Sequence, residues 1–435
     1  MRDMYSRRGS YPTSACTAIA AVLAAAALLL ACAEDPTPGT AIGDGSLGTV
    51  EIEAGAAIQI RSVNNISGDV ARLGVTKQRG VELALADYGP VHGFAVSIGI
   101  GMSDGCSADG GRRAAESVAS DPQVIGVIGT SCSSAATTAA PILAGAGMVM
   151  ISPSNTSPAL TSDLAGTVGE HHHPGYYRTS HNDLYQGQAV ARFLYEELEV
   201  TTAATLHARD PYTQGLAEAF AAAFENLGGT VTGVVDFDRE ETDLVPVLTE
   251  AASGEPQALF LPLTGTRGRR VVEQVAGVAG LEDTVLLAAD ALFEDDFMRL
   301  AGTVGMYFSG PDLRYGANEN QSTGRSATEV LATYEETYGE SPVSPFWAHA
   351  YDATTLLLEA IAASSYVTED GVLVIDRAGM RAALNAIDRY HGLIGTISCD
   401  QYGDCGTQKI TVIHHIDAND IEASKRNVVF EFSGS

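Results

Sequence analysis

Residues 124–158, VIGVIGTSCSSAATTAAPILAGAGMVMISPSNTSP, constrain the fold more than any other stretch. The apolar run at 124–128 is too short for a helix and breaks into Gly129-Thr130-Ser131-Cys132-Ser133-Ser134. An alanine-rich helical segment follows, then a second short apolar run, 148–151, closing on Ser152-Pro153-Ser154-Asn155-Thr156. The pattern predicts strand, polar turn, helix, strand, polar turn. In a parallel sheet both turns fall at the carboxyl ends of their strands, where open α/β folds hold ligands. The first turn feeds a helix N-terminus, whose unpaired N–H groups and dipole attract an anion. Hydroxyls at Ser131, Ser133, Ser154 and Thr156 add donors and acceptors, and no Lys or Arg lies between 124 and 158. The expectation is a carboxylate held by neutral groups.

The same rhythm extends in both directions. Upstream lie a strand near 57–63, a polar turn, a helix with Val81, Ala84, Leu85 and Tyr88 at helical spacing, a strand over 94–100, and a helix ended by Asp121-Pro122. Downstream the periodicity lapses over 171–183. It restarts with helices at 184–199, 213–227, 243–252 and up to Gly280, and strands at 203–206, 231–235, 258–263 and 284–289. A helix at 294–301, a strand at 306–308, helices at 326–338, 346–363 and 377–388, and strands at 410–414 and 428–432 complete the chain. Alternating units of this kind imply parallel sheets with right-handed crossovers. Two α/β lobes with a ligand in the cleft between them are the expected architecture.

Composition narrows the compartment and the partners. The 435 residues carry a formal charge of −29 and only three lysines, Lys77, Lys409 and Lys425. Such acidity argues against nucleic acid or an anionic membrane surface as partner. The N-terminus reads as a targeting segment, with Arg2, Arg7 and Arg8 ahead of an apolar stretch at 18–31 that is short for a bilayer span. It ends Leu29-Leu30-Ala31-Cys32, which resembles the lipobox of bacterial lipoproteins and marks Cys32 for lipidation. Removing the segment leaves about −31. Residues 33–55 are read as a flexible tether, Gly, Pro and Thr rich over most of their length.

Cys16 leaves with the signal and Cys32 takes the lipid, so four cysteines remain, with three possible pairings. Cys399 and Cys405 flank a turn, Asp400-Gln401-Tyr402-Gly403-Asp404, and can pair locally. Cys106 and Cys132 would then join across one βα unit, a loop whose closure contributes about 3 kcal/mol. Metal binding or a catalytic thiol is the rival, and export with an even count favours disulfides.

Taken in order, several motifs resemble the periplasmic solute-binding proteins of the leucine/isoleucine/valine type, the receptors of amino-acid ABC importers. They are Val127-Ile128-Gly129 leading to Cys132-Ser133-Ser134, Met150-Ile151-Ser152-Pro153 leading to Thr156, and Tyr212-Thr213-Gln214-Gly215-Leu216-Ala217. Tyr351-Asp352-Ala353 and Gly395-Thr396-Ile397-Ser398 with Asp400 and Gly403-Asp404 complete the set, so the resemblance covers roughly 57–415. It implies an α/β fold of the type I periplasmic binding protein kind: two Rossmann-like lobes with parallel sheets, joined by a three-segment hinge near residues 180, 309 and 394. Lobe 1 would comprise 56–181 with 310–394, and lobe 2 would comprise 182–309 with 395–435. Cys106 and Cys132 fall where that family's disulfide lies.

Carried over residue by residue, the resemblance gives Ser133 the ligand's α-carboxylate, through hydroxyl and backbone N–H. Thr156 would contact carboxylate and ammonium, the Ser154 carbonyl would accept from the ammonium, and Asp290 would pair with it. A carboxylate at a strand's carboxyl end faces the cleft on bottom-up grounds as well, with a helix N-cap as the plainer alternative. Two departures remodel the side-chain pocket. Leu73 stands where the family often has an aromatic, and a second-lobe tyrosine aligns with Thr264 or Gly265. Tyr212 and Phe346 remain as aromatic walls, although Phe346 and Trp347 also open a helix that reads as core.

Other constellations carry less. His171-His172-His173 cannot all face one ion, so a solvated loop is expected and no metal. No Gly-x-Ser-x-Gly elbow is present, Gly99-x-Gly101 lacks the rest of a dinucleotide fingerprint, and no base is tied to Ser131 or Ser133. The expectation is a non-enzymatic, cofactor-free receptor, lipid-anchored on the outer side of a bacterial membrane. It would capture an amino acid and deliver it to an ABC permease. A sensor or envelope regulatory lipoprotein of the same fold is the alternative, and an envelope hydrolase a weaker one.

Overall fold

The computed structural model describes residues 43–68 and 70–434, so the leader and Cys32 lie outside the described residues. Strand β1 (Thr49–Ile52) precedes β2 (Ile58–Val63), α1 (Ala71–Tyr88), β3 (Val96–Ser97) and α2 (Ala108–Ala119). The stretch that opened the sequence reading forms β4 (Val124–Gly129), α3 (Ser133–Gly145) and β5 (Val149–Ser152), and β6 (Tyr176–Arg178) follows. These strands build a parallel sheet in the order β3-β2-β4-β5-β6. Every residue of β4 is buried, as an apolar strand covered on both faces must be.

The chain then enters a second sheet. It runs through α4 (Asp183–Arg192), β7 (Thr202–His207), α5 (Pro211–Asn226), β8 (Thr230–Asp236), α6 (Val245–Ala252), β9 (Ala258–Leu261), α7 (Gly265–Val275), β10 (Val285–Ala288), α8 (Asp295–Met298) and β11 (Tyr307–Pro311). After β11 it returns to the first sheet. That return comprises β12 (Glu319–Asn320), β13 (Arg325–Ser326), α9 (Ala327–Tyr338), α10 (Trp347–Ala363), β14 (Ser365–Val367), β15 (Leu373–Asp376), α11 (Arg377–Asn385), β16 (Tyr390–Gly392) and β17 (Gly395–Ile397). A last passage leads to β18 (Lys409–His414), α12 (Ile421–Arg426) and β19 (Val428–Ser433). The second sheet has the order β19-β18-β11-β10-β9-β7-β8, parallel from β8 to β11 with two antiparallel strands at one edge.

Each sheet is packed on both faces. Core clusters from α1 and α10 cover one side of the first sheet, and the short residues of α2 and α3 cover the other. Helix α10 is buried almost all round, which explains its largely apolar sequence. The second sheet is sandwiched in the same way between α6 with α7 and α4 with α5.

Several elements differ from the sequence reading. Thr49–Ile52, placed in the flexible tether, is a strand paired antiparallel with β15, with Val50 and Ile52 buried. Its polar surroundings masked a four-residue alternation that finds its partner more than three hundred residues later. The strand expected over 94–100 keeps only Val96–Ser97, and the helix expected over 294–301 shrinks to one turn. The helix expected over 184–199 is α-helical to Arg192 and closes in a π-turn through Glu197.

The three passages between the sheets are tied to one another. Arg178, fully buried at the end of β6, donates through Nη1 to the carbonyls of Asn155 (3.1 Å) and Ser157 (2.8 Å), and through Nη2 to Thr161 Oγ1 (2.6 Å). Its Nε pairs with Asp404 on the last passage, where the Cys399–Cys405 disulfide closes the loop. Asn182 on the first passage also donates to Asp404 (3.2 Å), and Gln186 donates to Ser309 Oγ (2.9 Å) on the second. Asp352 of α10 accepts from the backbone N–H groups of Leu393 and Ile394, both at 2.9 Å. Burial lifts its carboxyl to about 6 against these bonds.

Removing the guanidinium would take the charged donor from Asp404 and one donor from each of two loop carbonyls. Arg178→Met is expected to cost about 3–5 kcal/mol in chemical denaturation. A loss below about 1 kcal/mol would show that the tie is dispensable.

Candidate functional site

The turns at the carboxyl ends of the strands face one cleft between the two sheets. Counted out into open solvent, its non-atom space is about 560 Å³. From the first sheet come Ser131, Ser133, Ser134 and Ser154, with Leu73 and Lys77 of α1. The second sheet brings Asp210, Tyr212, Arg239, Thr264, Arg267 and Asp290, and Phe346 stands at the start of α10.

Ser133 is the first residue of α3, so its N–H and that of Ser134 have no acceptor within the helix. The residue before it, Cys132, offers no side-chain cap, which leaves this helix end turned to the cleft. The Cys106–Cys132 disulfide clamps the turn, and Asp104 behind it accepts from Ser131 N (2.6 Å) and Cys106 N (2.9 Å). Burial raises the Asp104 carboxyl, partly offset by those two backbone donors.

The serine hydroxyls are not equivalent. Ser131 Oγ accepts from Asn65 N (2.9 Å) and donates to Asn64 Oδ1 (3.2 Å), so it holds the loop after β2. Ser133 Oγ accepts from Ser157 N at 3.3 Å and keeps its proton for another acceptor. Ser154 Oγ donates to the Ser131 carbonyl (2.9 Å) and accepts from Lys77 Nζ (2.7 Å). Thr156 does not line the cleft. It is buried, and its carbonyl accepts from Asp183 N (2.9 Å).

Across the cleft, Asp290 follows β10 and is 3% exposed. Tyr212, in the first turn of α5, donates its hydroxyl to Asp290 Oδ1 at 2.8 Å. Burial, reinforced by the Asp290 charge, pushes the phenol well above its usual range, so Tyr212 stays a donor. Asp210 caps α5, accepting from Tyr212 N and Thr213 N at 3.1 Å each. Thr264 precedes α7, and its hydroxyl accepts from Arg267. The two sides touch at the rim: Arg239 Nη1 donates to the Cys106 carbonyl (2.9 Å), and Arg72 meets Asp296 at 2.5 Å.

Lys77 is the residue the sequence reading passed over. Gly74 lets α1 approach the loop after β2 so closely that a Cβ there would lie 2.0 Å from the Asn65 carbonyl oxygen. One turn later Lys77 enters the cleft, 1% exposed, with its ammonium 6.0 Å from the centre of the Phe346 ring. Burial lowers its pKa to about 8, opposed by the charges of Asp104, Glu294 and Asp290. The site therefore holds cations that residues 124–158 do not contain. In the sequence Lys77 stands among Arg72, Gln78 and Arg79, and nothing in that polar stretch sets it apart.

Residues 57–414 match the periplasmic binding protein family. The chain belongs to that family. Its members are binding proteins of transport systems that work outside the cytoplasm, not enzymes. An amino acid binding protein of Pseudomonas aeruginosa is 24% identical over 259 residues, 58% of this chain and 65% of that relative, so the chain spans less than two-thirds of its length. A leucine binding protein, LivK, of Thermotoga maritima superposes with a TM-score of 0.71 at 23% identity, covering 83% of this chain and 96% of that one. A solute-binding protein of R. palustris in complex with benzoate superposes with a TM-score of 0.68 at 16% identity, covering 87% and 97%. At these identities the two structures speak to the fold alone. This periplasmic binding protein thus has the type I architecture of its relatives, with parallel sheets and the ligand cleft between them. Among the described residues no helix is long and apolar enough to cross a membrane, and no cluster of His, Cys, Asp and Glu is arranged for a metal.

A buried ammonium without a counter-ion weakens the fold that holds it. Lys77→Met is expected to stabilise the unliganded protein by about 1–3 kcal/mol near pH 7. Because the folded pKa lies below the unfolded 10.5, the wild type sheds its proton in the folded state first and gains stability between about pH 8 and 10.5. Denaturation curves of both proteins at neutral and alkaline pH should converge as the pH rises. A constant gap would place Lys77 in a well-solvated site.

Proposed function

We propose that this protein is a lipid-anchored extracytoplasmic receptor that binds an amino acid in the interlobe cleft and delivers it to an ABC import permease. The observation that carries this reading is the meeting of two opposite ligand handles across one cleft. The open N-terminus of α3 with the Ser133 hydroxyl suits a carboxylate, and the buried Asp290 on the opposite wall suits an ammonium. In this reading Ser133 and Ser134 N–H hold the α-carboxylate. Asp290, oriented by Tyr212, pairs with the α-ammonium, and the Ser154 carbonyl accepts from it. Thr156 acts from behind as a positioning residue for the Ser154 turn. Leu73, Thr264 and Phe346 shape the side-chain end.

The two sheets would move as lobes about the tied passages near residues 180, 310 and 395–405, closing on the ligand. Only a ligand that binds both walls favours the closed state, which is the form a permease would read. The amino-acid and leucine binding proteins among the relatives support the ligand class, and the benzoate complex supports a bare carboxylic acid as the competing one. Cys32 would carry the lipid and the residues between it and β1 would give reach from the membrane.

A thermal-shift panel of amino acids and simple carboxylic acids tests the reading. At a thousand times its dissociation constant the true ligand adds roughly 4 kcal/mol of stability. With the best amino acid in hand, Asp290→Asn should lower affinity about 100-fold and leave the des-amino acid unaffected. Ser133→Ala should cost about tenfold. Binding left intact by Ser133→Ala, Thr156→Ala and Asp290→Ala together would remove this site.

A further inference from the structure

Among the described residues, the buried aspartates are each held by a donor, with one exception. Asp104 accepts from two backbone N–H groups, and so does Asp352. Asp376 caps α11 through Gly379 N (2.9 Å), Asp295 pairs with Lys425 (2.8 Å), and Asp290 accepts from Tyr212 (2.8 Å). Asp183 is fully buried, and neither of its oxygens makes a hydrogen bond of ordinary geometry. The Thr156 hydroxyl lies near enough to ease its charge, yet that hydroxyl is unbonded by the same measure. Helix capping does not account for the acid either. Asp183 is the first residue of α4, and the cap is Asn182, whose side chain accepts from Leu184 N at 3.0 Å.

The charge of Asp183 bears on two residues that line the cleft, Asp290 and Tyr212, although Asp183 is not itself part of the lining. Asp290 and Asp210 oppose its ionisation, and Arg178 favours it. That guanidinium already serves Asp404, Thr161 and two carbonyls. Two neighbouring carboxylates in a buried setting do not both ionise unless donors or cations meet them. Tyr212 donates to Asp290, which keeps the charge there and leaves the proton on Asp183. Burial first, and then the Asp290 charge, raises the Asp183 carboxyl well above the usual carboxylate range.

We propose that Asp183 is the second acid of the ammonium site, neutral while the cleft is empty and giving its proton to solvent when a ligand ammonium is seated against Asp290. This rests on the amino-acid-receptor reading above and adds the means by which the wall selects for an ammonium. The charges balance: one positive charge enters with the ligand, one proton passes to the buffer, and the Asp183 carboxylate stays behind. A carboxylic acid without an amino group brings no such charge, so Asp183 keeps its proton. Because binding expels a proton, affinity for the amino acid rises with pH, by about tenfold per unit at most.

Titration calorimetry of the full chain at pH 6 in Mes and in Bis-Tris counts the protons, because the two buffers differ in ionisation enthalpy. The probes are the tightest binder among the twenty standard amino acids and the same molecule without its amino group. The amino acid is expected to release about half a proton per site or more, with affinity rising about threefold or more from pH 5.5 to 6.5. The des-amino acid should show neither effect. Lys77, with a pKa of about 8, and Asp104, raised by burial, would take protons up beside a ligand carboxylate, the opposite sign. His181, lowered by burial and facing Asp290, is the rival source of a released proton. Asp183→Asn, an isostere of the neutral acid, should abolish both the release and the pH rise. Release that survives in that variant, smaller release in the wild type, or equal release with the des-amino acid overturns the proposal and leaves an amino-acid receptor standing. The last two readings need only the wild-type chain, so they decide the matter even if the variant does not fold. No amino acid bound at all overturns the receptor reading as well.

Discussion

A single buried guanidinium holds the working parts of this molecule in register. Arg178 closes the edge strand of the first sheet and reaches the carbonyls of Asn155 and Ser157, so it sets the turn that presents Ser154 to the cleft. The same group pairs with Asp404 on the last passage between the sheets, and Asn182 on the first passage shares that carboxylate. Cleft wall and inter-sheet passages are therefore built on one charge network. In a buried setting such a network works only when every member is satisfied. Gly403 shows how tightly it is packed, since a Cβ there would lie 2.2 Å from the Tyr176 carbonyl oxygen.

The cleft itself follows a different rule. Around Arg178 each guanidinium nitrogen has its partner. In the cleft the first N–H groups of α3 have no acceptor within the helix, and the Lys77 ammonium has a serine hydroxyl in place of a carboxylate. Stability alone would select an apolar residue at position 77 and a capping side chain ahead of α3. Both are withheld at the one place where a guest could supply them, a pattern expected when stability is traded for binding.

Much of this was legible from the chain. The short apolar runs at 124–128 and 148–151 identified parallel strands, because they are too short for helices and strands buried on both faces read as unbroken apolar segments. Their following turns located Ser133 and Ser154, and the acid after the Leu287-Ala288-Ala289 run located Asp290. Strand β1 was hidden, since four residues of alternation inside a polar stretch acquire meaning only through pairing with β15. Ser131 reads as a ligand hydroxyl in the sequence, yet in the fold it ties Asn64 and Asn65. Thr156 likewise is not among the described residues that line the cleft.

The sequence by itself determined the alternation of strands and helices, the two sheets and the side on which ligand-bearing turns emerge, because these depend on local periodicity and on the fixed handedness of crossovers. It determined the neutral, hydroxyl-rich character of the α3 entrance for the same reason: those groups are neighbours along the chain. Only the tertiary structure decided the charge of the cleft. Lys77, Arg239, Arg267 and Asp290 come from four separate segments, and no periodicity records that they converge. Electrostatic environment is set by distance through space and by exclusion of water, and both exist only once the two sheets have met.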